Sequence, residues 1–294
     1  ASLPEHIATR PDGKSRFRHY LPFPSYVNTI EDYPYPYVIG RLCWEVPCLV
    51  PSDWEGQNIQ GSSNPRTLAD MKIALDATLL KRGATSLVFH PHGWIGSDQI
   101  VEFIDHAIEE HGERIKFLNF HEYQERLEDH LLVGQPLRDD AGRDNGVRLL
   151  DLNNDGFLDV VIGNSKLQRT RLWNPESETW HESDFPIHIV HADADGLTQQ
   201  AGVEFFIAQK DGNASLLVRN EKRAGVWHFS NGKWVHDRSM LNGLTLDGQP
   251  IFTSRNGRDL GVRLRDLDND GVCELIAGNK PGQVLSWDRD GETW

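Results

Sequence analysis

Cysteine is scarce. The chain has three in 294 residues, Cys43, Cys48 and Cys273, too few for a disulfide scaffold and without the C-x-x-C spacing of a zinc knuckle. Cys43 and Cys48 are close enough in sequence to close a short loop or to remain as two thiols, and both readings stay open. Long apolar runs are absent: no stretch of 18 or more apolar residues occurs, which excludes a transmembrane helix. Basic charge is in deficit, with 30 Lys and Arg against 44 Asp and Glu, a net charge of −14. Phosphate binding needs a basic face, so a general nucleic-acid partner is excluded. There is no initiator Met, no basic leader and no apolar leader segment at Ala1, so no signal peptide is visible.

What is present falls into two grammars, divided near Gly134-Gln135-Pro136. Residues 1–134 mix Pro-rich loops with helical runs. Residues 21–63 form an irregular segment with one short strand around Tyr37–Ile39, and loops of that length are uncommon unless functional. Asn64 followed by Pro65 is an N-cap with proline in the first turn, and the apolar positions Leu68, Met71, Ile73–Leu75 and Leu79 give one helical face that Gly83 ends. Residues 85–90 and 115–120 read as buried strands. Between them, Ser97 caps a helix that stops at Gly112, and residues 121–132 read as a last helix. The order helix, strand, helix, strand, helix is that of parallel α/β units.

Residues 135–294 carry an internal repeat. RDNGVRLLDLNNDGFLDVVIGN at 143–164 aligns with RDLGVRLRDLDNDGVCELIAGN at 258–279, and thirteen of the twenty-two positions are identical. Three tryptophan pairs, Trp173/Trp180, Trp227/Trp234 and Trp287/Trp294, each bracket a turn. A helix-free repeat of roughly 55–60 residues predicts four-stranded β-propeller blades. About three blades are expected. Both ends read as cut, with barrel sequence expected before Ala1 and further blades after Trp294.

Two constellations carry chemistry. The first is the pair of loops at 151–159 and 266–274. Asp151, Asn153, Asp155 and Asp159 offer side-chain oxygens at positions one, three, five and nine, and Phe157 offers a backbone carbonyl at position seven. Asp266, Asp268, Asp270, Glu274 and the carbonyl of Val272 repeat the pattern. Hard oxygens at alternate positions around a glycine turn suit Ca²⁺. A third version, His191 to Gly196, lacks the first acid. These strings resemble the FG-GAP or VCBS repeats of integrin-α-type propellers, a resemblance that spans 135–294. It implies one structural Ca²⁺ in each of two loops, placed between the first two strands of a blade.

The second constellation is His90-Pro91-His92-Gly93 after an apolar segment, where either imidazole can act as ligand, acid or base. Asp53, in the Pro-rich segment, can orient such an imidazole. Asp105, His106 and His111 read as solvated helix-face residues. Residues 20–130 are similar to the C-terminal part of a polysaccharide deacetylase of the NodB-like family, in LVFHPHG and in Ser52-Asp53-Trp54. The resemblance implies that His90, with His92 as alternative, is the general acid and that Asp53 orients it.

The family's Asp-Asp pair and His-x-x-x-His pair do not occur upstream of His90, and His6, Asp12 and His19 do not reproduce their spacing. Zn²⁺ or another catalytic divalent metal is therefore expected only where that half is complete. The fold expectation is α/β plus all-β, a partial (β/α) deacetylase-type barrel followed by FG-GAP-type propeller blades. The pairing is similar to large exported proteins of planctomycete-type bacteria. It implies a secreted or periplasmic location, a polysaccharide or acetylated glycan as partner, and further domains of a parent chain. The rival expectation is a binding or scaffold propeller that docks glycan or protein.

Overall fold

A computed structural model describes residues 3–21, 30–31, 33–48, 50–193, 196–278 and 283–294. The chain divides into two compact units: Ala1–Ile39 with Cys43–Tyr123, and Gly40–Leu42 with Gln124–Trp294.

The first unit is mainly helical. After a single turn, α1 (Glu5–Ala8), come a short antiparallel ladder of β1 (Tyr37–Ile39) and β2 (Cys43–Glu45), then α2 (Asp53–Gln60), α3 (Pro65–Leu80), α4 (Ser97–His111) and the start of α5 (Phe120–Arg126), whose last three residues are assigned to the second unit. The start of α3 follows from its sequence: the Asn64 side chain accepts the Arg66 N–H at 2.9 Å, and Pro65 occupies the first turn, where no backbone donor is needed. The cap of α4 is Gly96 rather than Ser97. The Gln99 side chain accepts the Gly96 N–H at 3.0 Å, and Ser97 becomes the first helical residue. Gly112, at φ 52°, ends the helix in the left-handed region that favours glycine.

Leu68, Met71 and Leu75 of α3 pack against Phe103 and Ala107 of α4, with Ile95 closing the cluster. Phe17, Tyr20, Ile30 and Val50 form a second core on Ala74 and Ala77 of α3. Helix α2 is an addition to the sequence expectation, which left residues 21–63 without one.

The two expected buried strands do not form. Residues 85–90 and 115–119 take no regular structure beyond one bridge, and the only parallel pairing among the described residues is that single Cys48–Ser86 bridge. An apolar run becomes a strand only when a neighbour takes its backbone hydrogen bonds. Without one, Leu87, Val88, Phe117 and Leu118 are exposed, and only Phe89 and Ile115 reach the α3–α4 core. The described residues form no closed barrel.

The second unit is all antiparallel. One four-stranded meander runs β3 (Val147–Leu150), β4 (Asp159–Gly163), β5 (Gln168–Asn174), β6 (Thr179–Asp184). A small ladder, β7 (Val190–Ala192) with β8 (Thr198–Gln200), leads to a second four-stranded meander of β9 (Glu204–Ile207), β10 (Ala214–Arg219), β11 (Ala224–Ser230) and β12 (Lys233–Asp237). Two two-residue ladders follow, β13 (Thr245–Leu246) with β14 (Gln249–Pro250) and β15 (Ser254–Arg255) with β16 (Arg258–Asp259). The last sheet is three-stranded, β17 (Val262–Arg265), β18 (Glu274–Ala277) and β19 (Val284–Leu285).

Strand β10, inside the middle meander, is buried on both faces, which explains its consecutive apolar residues Leu216, Leu217 and Val218. Leu216 and Val218 point into a core with Val161 of the first sheet and with Phe185 and Ile187, which follow its last strand. Leu217 points the other way, among Met240, Val262, Leu264 and Leu275 beside the last sheet. The second tryptophan of each later pair latches backwards. Trp234 donates its indole N–H to Thr170 Oγ1 on β5 at 2.9 Å, and Trp294 donates to the Met240 carbonyl at 2.8 Å. No helix among the described residues is long and apolar enough to cross a membrane.

Candidate functional site

The two repeated loops occupy equivalent places. Residues 151–158 join β3 to β4 and residues 266–273 join β17 to β18, each between the first two strands of its sheet. Asn154 and Asn269 take left-handed φ of 57° and 62°, and Gly156 and Gly271 follow at 84° and 88°. These values wind the chain tightly enough to turn the acids inward. Asp151 accepts from the N–H groups of Asp155 (3.1 Å) and Gly156 (2.8 Å), and Asp266 accepts from those of Asp270 (3.1 Å) and Gly271 (2.9 Å). Asp155 and Asp270 each take the N–H two residues on, from Phe157 and Val272.

The ninth residue staples each loop. Glu274 accepts the Leu267 N–H at 2.8 Å. Asp159, fully buried, accepts Leu152 N–H at 2.9 Å and Trp173 N–H at 2.8 Å. Burial, reinforced by the charges of Asp155 and Asp151, pushes the Asp159 carboxyl up to about 7 against the pull of those two hydrogen bonds.

Two observations test whether a cation fits. In the first loop, Asn153 donates its amide to Asp155, while its buried carbonyl oxygen Oδ1 has no partner. A buried acceptor left unpaired in a ring of acids is the atom a cation would take. In the second loop, one oxygen from each of Asp266, Asp268 and Glu274 lies within 4.8 Å of the others. At that spacing each pair of carboxylates repels by roughly 1 kcal/mol in a water-like dielectric. The donor set is all oxygen and fits Ca²⁺. Asp270 lies outside this three-oxygen group. Of the third version, Ala194 and Asp195 fall outside the described residues; Asp193 accepts the Leu197 N–H at 2.8 Å.

In the first unit the structure brings Asp53 and His90 together. Asp53 is the first residue of α2, not part of an irregular loop. Ser52 caps that helix reciprocally with Glu55: its side chain accepts the Trp54 N–H, and its own N–H donates to Glu55 at 2.7 Å. The Asp53 carboxylate, 1% exposed, grips His90 twice, accepting its backbone N–H at 2.5 Å and meeting Nδ1 at 2.9 Å. A buried carboxylate at Nδ1 places the ring proton there and leaves Nε2 for an external partner.

His92 is exposed, and its ring lies parallel to that of His90 at 6.2 Å. Trp94 sits 4.7 Å from His90 and 5.0 Å from His92. Sequence reasoning passed over Trp94, although its place two residues after His92 was visible. It also passed over the S-x-x-E capping box that positions Asp53. His106 and His111, read as solvated, are largely covered, with side chains 21% and 12% exposed, whereas Asp105 is exposed.

Each repeat carries one further device. Asp144 pairs bidentately with Arg148 (2.8 and 2.7 Å) and accepts the Gly146 N–H. Asp259 does the same with Arg263 (3.1 and 2.6 Å) and Gly261. No family model matches the chain, and no curated protein and no solved structure matches it either.

Proposed function

We propose that this chain belongs to an exported, glycan-directed protein. In this reading the first unit supplies the acid side of a polysaccharide-deacetylase-type site, and the second is a Ca²⁺-stiffened segment of a β-propeller. The observation that carries the catalytic half is the double grip of buried Asp53 on His90. In hydrolysis of an acetyl amide or ester, a protonated His90 would deliver its Nε2 proton to the leaving nitrogen or oxygen. Asp53 would stabilise the imidazolium and hold its orientation. Trp94 and His92 offer flat ring faces on which a sugar can rest.

The residues upstream of His90 do not fit the metal of that family, since they contain neither an Asp-Asp pair nor a His-x-x-x-His pair. No step is routed through such a metal, and we expect no turnover from this chain alone. In the second unit, Asp151, Asn153, Asp155 and Asp159, with the Phe157 carbonyl, would hold one Ca²⁺. Asp266, Asp268, Asp270 and Glu274, with the Val272 carbonyl, would hold another. The ion would supply structural cross-linking. A secreted or periplasmic location belongs to this reading through the resemblance of the repeated loops to FG-GAP or VCBS repeats.

The test is acetate release from acetylated chitooligosaccharides and acetylated xylan with added Zn²⁺, Co²⁺ or Ni²⁺, beside a binding titration with the same glycans. The expected result is no acetate, with saturable binding that weakens about tenfold in Trp94→Ala. Turnover that disappears in His90→Ala would show that metal ligands lie among residues assigned no such role. Absence of glycan binding would favour the rival reading, a scaffold that docks protein.

A further inference from the structure

Helices α3 and α4 lie side by side and parallel. Lys72 pairs with Glu102 at 2.8 Å and, one turn further along both helices, Asp76 meets His106. The packing of Met71 and Leu75 against Phe103 and Ala107 fixes this register. Their C-terminal ends therefore fall at the same end of the pair. There His111, the last residue of α4, turns onto the oxygen that His106 already approaches: Asp76 Oδ1 lies 3.3 Å from His106 Nε2 and 2.7 Å from His111 Nε2. All three atoms lie within 4.8 Å of one another, and the two rings stand edge to face at 87°.

We propose that Asp76, His106 and His111 form a binding site for a Zn²⁺-class divalent cation, separate from both constellations above. Two imidazoles and one carboxylate suit Zn²⁺, and provide too few oxygens for Ca²⁺ or Mg²⁺. A tetrahedral Zn²⁺ with bonds of about 2.0–2.1 Å spaces adjacent ligand atoms about 3.3 Å apart. Of the three separations, Asp76–His106 has that value, Asp76–His111 opens to it with a shift of about half an ångström, and His106–His111 lies within 4.8 Å. Asp76 is 35% exposed at its side chain, which leaves solvent access for a fourth ligand. Two parallel helices end here, and each presents the negative end of its dipole to a cation.

His111 Nδ1 is buried without a partner, so the ring's hydrogen bonding runs through Nε2 alone. A ligating imidazole normally anchors its other nitrogen, and loss of such support costs about 10- to 100-fold in metal affinity. The site is accordingly expected to bind more weakly than a closed structural zinc centre. Helix α4 begins at Ser97, three residues after Trp94, and its 15 residues span about 22 Å. The proposed site thus lies at the far end of α4 from the His90–Trp94 turn.

The experiment is calorimetric titration of the full chain with Zn²⁺ under saturating Ca²⁺, paired with Co²⁺ absorption and with ¹⁵N imidazole spectra of the wild type. One Zn²⁺ per chain is expected, with Nε2 shifts at His106 and His111. Affinity should fall at least about tenfold in His106→Ala and in His111→Ala, and remain unchanged in the double variant His90→Ala/His92→Ala. Failure of the wild type to take up Zn²⁺ overturns the proposal. So does binding that survives both His106→Ala and His111→Ala, or imidazole shifts confined to other histidines. Should either variant misfold, the wild-type spectra still decide.

Discussion

At the scale of single residues, the two D-x-G-V-R segments make the same Asp–Arg pair in different surroundings. Asp144 and Arg148 have side chains only 9% and 13% exposed, whereas Asp259 and Arg263 are 39% and 41% exposed. Removing one partner of a covered pair strands the other charge, at about 3 kcal/mol; an exposed pair contributes about 0–1 kcal/mol. Asp144→Asn should therefore destabilise the second unit strongly at pH 7, and Asp259→Asn should barely register in urea unfolding. Burial works against the Asp144 carboxylate, but Arg148, the Gly146 N–H and Gln200 together hold it below the ordinary carboxylate range. A group whose folded value is depressed contributes stability that is fully present above its unfolded value, near pH 4, and that fades as pH falls through the folded value. The cost of Asp144→Asn should thus shrink on acidification below pH 4. A cost that holds steady from pH 7 to pH 2 would mean that the pair stabilises by packing and not by charge.

At the scale of elements, what the sequence made legible was whatever local chemistry decides. Helices α3 and α4 follow from apolar period, caps and the terminal Gly112, and the meanders follow from repeated loops and Trp-flanked hairpins. The strands expected at 85–90 and 115–120 depend on partners elsewhere in space, and no local signal reports whether those exist. Helix α2 was hidden by the prolines around it, although Ser52 and Glu55 mark its start three residues apart. The closeness of Asp53 to His90 could be expected from resemblance alone. The covered cluster at Asp76 could not, because helical spacing by itself does not say which face a neighbouring helix covers. Since the Ser52 cap sets the first turn of α2, it also sets Asp53. Ser52→Ala should cost about 1 kcal/mol, read as a lower melting temperature of the first unit. It should also free the His90 ring, read as averaged imidazole NMR signals. Ser52→Asp, which can cap as well, should restore both. If the ring signals stay sharp in Ser52→Ala, His90 is held without the helix start.

At the scale of the molecule, two units of different construction meet one charge problem. The net charge is −14, and the second unit concentrates acids in two tight turns. The first loop brings Asp151, Asp155 and Asp159, and the second brings Asp266, Asp268, Asp270 and Glu274. Without a cation, folding must confine these charges; a bound divalent ion would remove the repulsion and favour the folded loop over the open chain. Linkage would then stabilise by about 2.7 kcal/mol per site at a free Ca²⁺ 100 times the dissociation constant. Mg²⁺ should substitute poorly, because it demands a small octahedral shell and keeps its waters. The gain should be local. By hydrogen exchange, peptides covering β3–β4 and β17–β18 should gain protection with Ca²⁺, while those covering α3 and α4 should not change. Asp155→Ala with Asp270→Ala should abolish the gain while leaving the Asp53–His90 contact intact. If EDTA and Ca²⁺ give the same melting temperature and the same exchange pattern, and calorimetry shows no heat of binding, the loops are metal-free turns. In that case the unpaired Asn153 oxygen and the crowded carboxylates are costs that the sheets themselves offset.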